Sequence, residues 1–281
     1  MSEAAATEIV VEGVGLHTGV GARVRLERRP GPLAIRLYGG LEYALREWAI
    51  VGTVRGMTIA SSGGTLRVAT PDHLFGALAG LGVHRDLCIS IDGPEVPLLD
   101  GCASAWCEAL AAIGFDQTFG GHPPTLHVTR NATIETRGSV YVFEPSNEST
   151  RVEVDVTFGD VRVDGLVSWS GSRSDFERRI APARTFAFAR ELEAIAMRGL
   201  AKHVAPESVV VIDEGRIYSA GRTPDGDEPA RHKLLDLLGD LYLYGGPPMG
   251  FVRASKPGHG STHEAMRQAI DEGVVGPLNQ K

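Results

Sequence analysis

Along the first third of the chain apolar and polar positions alternate, and then the period changes. Ile9 to Val11 and Ala22 to Leu26 read as strands around the glycine-rich segment Gly13 to Gly19, and strand-like pieces recur at Leu33 to Leu37 and Ile50 to Val54. From Thr70 to Leu81 the apolar residues Leu74, Leu78 and Leu81 stand at helical spacing, which predicts a helix with Thr70 as N-cap and Pro71 at its first position. A strand from Leu87 to Ile91, a loop from Pro94 to Cys102 and a second helix from about Ala103 to Ile113 follow.

Gly114 to Pro124, with three glycines and two prolines, predicts a linker. Beyond it the order repeats. Strand-like runs cover Thr125 to Val128, Val140 to Phe143 and Val152 to Val156, and Ala183 to Phe188 leads into a helix from Glu191 to Met197. A buried strand at Val209 to Ile212, a polar loop over 215–229, a helix from Ala230 to Tyr244, a strand near Phe251 to Ala254 and a helix from about Thr262 to Ile270 complete the pattern. Each half places strands first and helices later, so the expected fold class is α+β, as two domains of similar plan over 1–118 and 119–281.

Composition narrows the function classes. A chain of 281 residues, 43% apolar and 22% charged, is able to bury a substantial core. Its net charge of −7 excludes a general basic footprint for nucleic acid or anionic membrane, so an anionic substrate must meet a local cluster of Lys or Arg. Cys88, Cys102 and Cys107 are an odd number without CxxC spacing, which predicts reduced thiols and excludes a four-cysteine zinc site. Met1 to Thr7 is Ala-rich without a basic n-region, and no run approaches eighteen apolar residues, so a cytoplasmic protein is expected.

Within Arg231 to Asp240, His232, Asp236 and Asp240 fall at i, i+4 and i+8 and share one helix face. An imidazole and a carboxylate one turn apart are able to chelate a divalent ion, although the same spacing also fits a solvated face with an incidental His–Asp pair. Hydrolytic metal sites need a third protein ligand, and His73 is the best candidate, in the first turn of a helix entering the core. Asp72 beside it is either part of the chemistry or a complement to the helix dipole. His259 sits in a Gly-flanked segment read as a loop after a strand, and His17 lies among glycines that let backbone approach a ligand or simply form a hairpin turn.

Seven collinear stretches resemble the UDP-3-O-acyl-N-acetylglucosamine deacetylase family, the zinc enzymes of lipid A biosynthesis. They are Gly13 to Gly19, Thr70 to Gly82, Gly93 to Ala103, Ala183 to Phe186, Arg198 to Leu200, Arg231 to Asp240 and Lys256 to His259, spanning residues 9 to 270 or so. The resemblance implies two α+β domains packed through their helices, a metal in the cleft between them, and a small βαβ insert in the second domain, here about 186–216, forming an apolar passage for an acyl chain. It implies Zn2+ held by His73, His232 and Asp236, although such ligands accommodate several divalent ions, iron among them. Asp72 corresponds to the general base, His259 to the cationic histidine that stabilises the oxyanion and protonates the leaving amine, Asp240 to its orienting carboxylate, and Thr185 to the oxyanion donor. His17, Phe186 and Lys233 match substrate-contacting positions. The implied partner is a small acylated UDP-sugar, with no nucleic acid, no stable membrane insertion and a monomeric chain.

Two departures stand out. The family carries Glu immediately before the first zinc histidine, whereas Asp72 is one methylene shorter, and a misplacement on the order of 1 Å reduces catalysis roughly a hundredfold. Val83 to Asp86 also differs from the usual acidic residue followed by Asn. They raise an alternative: a divergent paralogue acting on another N-acetylated substrate, or a non-catalytic zinc or nucleotide-sugar binding protein.

Overall fold

The structure, a computed structural model, describes residues 6–201 and 203–278. Four strands, β1 (Glu8–Val14), β2 (Gly21–Pro32), β3 (Ala34–Leu37) and β4 (Glu42–Ala44), are followed by a small meander of β5 (Trp48–Gly52), β6 (Thr58–Ser61) and β7 (Arg67–Ala69). Helix α1 (Asp72–Leu81), strand β8 (Arg85–Asp92) and helix α2 (Ser104–Ala112) complete the first half. The second half runs β9 (Leu126–Val128), β10 (Ala132–Thr136), β11 (Ser139–Glu144), β12 (Thr150–Val156) and β13 (Gly165–Trp169), then a short α3 (Arg173–Asp175) continued by a π turn over Phe176–Ile180. Strand β14 (Phe186–Phe188), helix α4 (Ala189–Met197) and strands β15 (Val210–Ile212) and β16 (Ile217–Tyr218) come next. Helix α5 (Glu228–Tyr242), strand β17 (Gly250–Ser255), helix α6 (His259–Asp271) and strand β18 (Val275–Pro277) close the fold.

The two halves repeat one plan strand for strand. The first large sheet has the order β1-β2-β8-β3-β4 and the second β10-β11-β17-β12-β13. In both, the last strand in sequence enters the middle, antiparallel to one neighbour and parallel to the other. That central strand follows a helix, α1 or α5, and is followed by another, α2 or α6. Between Phe186 and Tyr218, β14 and β15 pair in parallel across α4 as the expected βαβ unit, to which β16 adds an antiparallel edge.

Helices α1 and α5 lie against each other at the centre, which explains their composition. Leu234, Leu235, Leu237, Leu238 and Leu241 are all buried in one core shared with Leu74, Leu78, Val154 and Val252. Each such side chain contributes about 1.5–3 kcal/mol of burial. A helix enclosed on every side has no solvated face. His232, Asp236 and Asp240 are therefore buried too, at 3%, 8% and 1% exposure, and the solvated-face alternative fails. Cys88, Cys102 and Cys107 are buried free thiols, as expected from their number and spacing.

Two local expectations are corrected. Thr70 is not the cap of α1: Pro71 holds that position, and Thr70 takes a left-handed φ of +51° with its hydroxyl 3.2 Å from Glu95 Oε1. A long-range carboxylate outcompetes the local capping geometry. The last helix starts three residues earlier than expected, so that His259 is its first residue and not part of a loop. Thr262 N–H donates to the Gly258 carbonyl at 2.8 Å, and Gly258 N–H to Ser261 Oγ at 3.1 Å, which nucleates the turn despite two glycines.

Candidate metal centre and catalytic cleft

Three elements carry the site. His73 lies in the first turn of α1, His232, Asp236 and Asp240 along α5, and His259 at the start of α6. Close approach of α1 to α5 needs residues without side chains at the crossing. A Cβ on Gly76 would stand 2.5 Å from Leu235 Cδ1, and one on Gly239 would stand 2.9 Å from the Asp72 carbonyl carbon and overlap its oxygen.

The result is convergence. One ligand atom each from His73, His232 and Asp236 lies within 4.8 Å of the others. The His73 and His232 rings meet edge to face, centroids 5.0 Å apart at 89°, and His232 Nε2 is 3.3 Å from Asp236 Oδ1. Ligands about 2.0–2.1 Å from a tetrahedral ion stand roughly 3.3 Å apart, so this pair already has the required spacing. His232 Nδ1–H donates to the Ala183 carbonyl at 2.9 Å, which leaves the Nε2 lone pair facing Asp236. Burial lowers the His232 pKa to about 4, against the pull of Asp236, so the ring is neutral, as a metal ligand must be. Burial works against the Asp236 charge, but Lys233 and the surrounding imidazoles hold its pKa well below the usual range; Lys233 Nζ–H donates to Asp236 Oδ2 at 2.8 Å. The donor set, two imidazole nitrogens and a carboxylate, fits a divalent cation.

Asp72 and His259 face this centre from opposite sides of the charge balance. Asp72 Oδ2 is 3.9 Å from His73 Nε2 and 4.0 Å from His259 Nε2, while its buried Oδ1 has no hydrogen-bond partner among the described residues. Burial raises the Asp72 pKa, with the two histidines opposing. His259 Nδ1–H donates to Asp240 Oδ1 at 2.8 Å. Burial alone would discharge His259, but Asp240, with Asp236 and Asp72 behind it, pushes its pKa up to about 9. Asp72, Asp236 and His259 also satisfy metal-ligand spacing. A protonated His259 committed to Asp240 disfavours a cation there.

A cavity of about 790 Å³ opens over these groups. Asp72, His73, Thr185, His232, Lys233, Asp236 and His259 line its polar end, while Phe158, Phe186, Phe188, Leu192, Ile195 and Val211 line the rest. Phe186, 6.1 Å from the His232 ring, stands where the two ends meet. His17 borders the same cavity with Nε2 2.8 Å from the Arg55 carbonyl. Every site residue singled out from the sequence thus lines one cleft except Asp240, which is hydrogen-bonded to His259.

Other supporting residues escaped the sequence reading. Glu95, fully buried, accepts from His17 N–H at 3.0 Å and from Thr18 N–H and Oγ1–H at 2.9 and 2.8 Å, and so ties the glycine-rich turn to Thr70 beside α1. The signal was present as a lone charge between Pro94 and Pro97. Arg184 and Glu228 form a buried pair in which Arg184 N–H and Nε–H both donate to Glu228 Oε1, at 3.0 and 2.9 Å. It anchors the segment carrying the Ala183 carbonyl and Thr185 to the start of α5. Nothing in local spacing announced it.

A family model described as UDP-3-O-acyl N-acetylglycosamine deacetylase matches residues 3–271. A UDP-3-O-acyl-N-acetylglucosamine deacetylase of Myxococcus xanthus (strain DK1622) is 33% identical over 279 residues, covering 93% of this chain and 84% of the relative. One of Anaeromyxobacter dehalogenans (strain 2CP-C) is 34% identical over 275 residues, covering 96% and 86%. Another, of Teredinibacter turnerae (strain ATCC 39867 / T7901), is 29% identical over 274 residues, covering 94% and 88%.

Proposed function

The chain belongs to the UDP-3-O-acyl N-acetylglycosamine deacetylase family, and on that premise we propose that it hydrolyses the N-acetyl group of UDP-3-O-acyl-N-acetylglucosamine, a step of lipid A biosynthesis. The observation that carries the reading is the convergence of His73, His232 and Asp236 within 4.8 Å, with Asp72 and His259 facing them. Neither the family match nor the relatives favour the alternative of a divergent or non-catalytic paralogue.

His73, His232 and Asp236 would hold a divalent cation, zinc in this reading, which when bound would supply Lewis-acid polarisation to the acetamide. Asp72 accepts a proton from the attacking water, and its burial moves its pKa toward the range in which a carboxylate serves as base. The Thr185 hydroxyl and the His259 imidazolium donate to the oxygen on which charge develops. His259 then protonates the leaving nitrogen and becomes neutral, so that acetate and a free amine result, and Asp240 keeps the ring oriented throughout and charged until that transfer. His17, Lys233 and Phe186 contact the substrate, and the apolar part of the cavity, walled by β14, α4 and β15, takes the acyl chain.

Among the described residues no helix is long and apolar enough to cross a membrane. The same reading makes the protein a cytoplasmic monomer. Acetate release from the acylated UDP-sugar, measured with metal content before and after His73→Ala, tests the assignment. Turnover that disappears together with the bound metal supports it, and full zinc occupancy with no acetate released rejects it.

A further inference from the structure

His263 stands one turn beyond His259 on α6, and both rings reach the same atom of α5. His259 Nδ1–H donates to Asp240 Oδ1 at 2.8 Å, and His263 Nε2 lies 3.3 Å from that oxygen. His263 and Asp240 are each 1% exposed, and His263 Nε2 has no formed hydrogen bond to any described residue, the 3.3 Å approach to Asp240 being a longer polar contact. On the far side of the ring, His263 Nδ1 is 3.1 Å from the Tyr244 hydroxyl, which also lies 3.2 Å from the His263 carbonyl. Burial pushes the Tyr244 phenol up to about 12, so it keeps its hydrogen and is a donor. A carboxylate oxygen only accepts, and a neutral imidazole carries one hydrogen. The phenol has one hydrogen and the His263 carbonyl only accepts, so Tyr244 alone leaves the tautomer open; Asp240 decides it, because a bare Nε2 would set its lone pair 3.3 Å from a carboxylate oxygen, and the hydrogen therefore belongs on Nε2.

We infer that His263 is a positioning residue for the reaction: its Nε2–H holds Asp240 in the rotamer that meets His259, and thereby keeps the His259 ring turned toward Asp72 and the cavity. Rotation of a carboxylate about its last torsion is soft, so one donor does not define its orientation. Two donors, from residues a helical turn apart on one rigid element, do. A buried Asp also loses solvation, which a second N–H dipole 3.3 Å away helps to offset. The consequence for turnover rests on the deacetylase reading; the pairing itself does not.

Two variants of the full chain separate positioning from bulk. His263→Leu removes the donor, whereas the side-chain amide of His263→Gln places an N–H at similar reach. The expected result is about a tenfold loss of kcat in His263→Leu, the rate equivalent of one hydrogen bond to a charged group, with KM and metal content unchanged. His263→Gln is expected to recover to within about threefold of the unaltered protein. A His263→Leu protein within about twofold of the unaltered kcat, or a Gln variant as slow as the Leu variant, overturns the role. Long-range nitrogen–proton spectra of histidine-labelled native protein read the pairing without turnover: a hydrogen on His263 Nε2 is expected, and a bare Nε2 defeats the inference whether or not acetate is released. If the expected tautomer is present in a protein that releases no acetate, the deacetylase reading fails and the His263–Asp240 pairing stands.

Discussion

The backbone of Asp72 lies where the side chain of any residue other than glycine at 239 would have to be: a Cβ there would come 2.9 Å from the Asp72 carbonyl carbon. This contact sets the depth at which α5 meets the start of α1, and so the distance between His232 and His73. Gly239→Ala is expected to force the helices apart. Overpacking of this kind costs about 1–3 kcal/mol, and the separation of the ligands is expected to weaken metal binding as well. Urea unfolding and metal titration on the purified variant check both, and an alanine protein with unchanged affinity contradicts the account.

Asp72 Oδ1 has no hydrogen-bond partner among the described residues, and Oδ2 lies about equally far from His73 and His259, at 3.9 and 4.0 Å. Asp72→Asn keeps the shape and removes the base. The expected loss in kcat is ~10²–10⁴-fold, the usual worth of a general base, with metal content and KM little changed. A variant that loses its metal instead would show that Asp72 serves the ion and not the water.

The His259–Asp240 pair makes stability depend on pH in a stated direction. His259 is raised from 6.5 to about 9 in the folded protein, so its contribution is fully present below about 6.5 and is lost as pH rises through 9. Burial opposes the Asp240 charge, but His259 and His263 lower its pKa from 3.8 to about 2, so the same pairing fades as pH falls from 3.8 toward 2. In metal-free protein the His259 ring is expected to titrate near 9 by NMR, and Asp240→Asn to bring it down toward or below 6.5. A bound cation at Asp236 opposes the imidazolium and lowers the value. A native ring that titrates at or below 6.5 in metal-free protein would refute the pairing.

Glu228 is fully buried and accepts from Arg184 and Arg222. Removing one partner of a buried pair strands the other charge, so Glu228→Ala is expected to cost about 3–5 kcal/mol. Arg184 also precedes Thr185, and the variant is expected to loosen the Ala183 carbonyl that orients His232. Denaturant unfolding reads the first effect and metal affinity the second; destabilisation well under 1 kcal/mol, the surface-pair value, disproves the burial argument.

Much of this site was legible in the sequence. His232, Asp236 and Asp240 were placed on one helix face by spacing alone, and the α+β class followed from the change of hydrophobic period. The misread start of α6 shows the limit. Lys256 to Gly260 carries two glycines and a proline, which locally predict a loop, yet His259 is helical because backbone and Ser261 hydrogen bonds close the first turn. Thr70 failed as a cap for the converse reason: a carboxylate from a different loop claimed its hydroxyl.

What the sequence by itself determined was chemistry and periodicity: which residues are able to bind a metal or move a proton, and which of them share a helix face, because side-chain direction along a helix follows from backbone geometry over neighbouring residues. Only the tertiary structure decided that His73 meets His232, that Glu95 and Glu228 are buried anchors, and that His263 shares Asp240 with His259. Those relations depend on how closely segments distant in the chain approach and on the burial that approach creates. The contacts made there then select the tautomer of His232, through the Ala183 carbonyl, and charge His259, through Asp240 and against burial, effects that the order of residues alone does not contain.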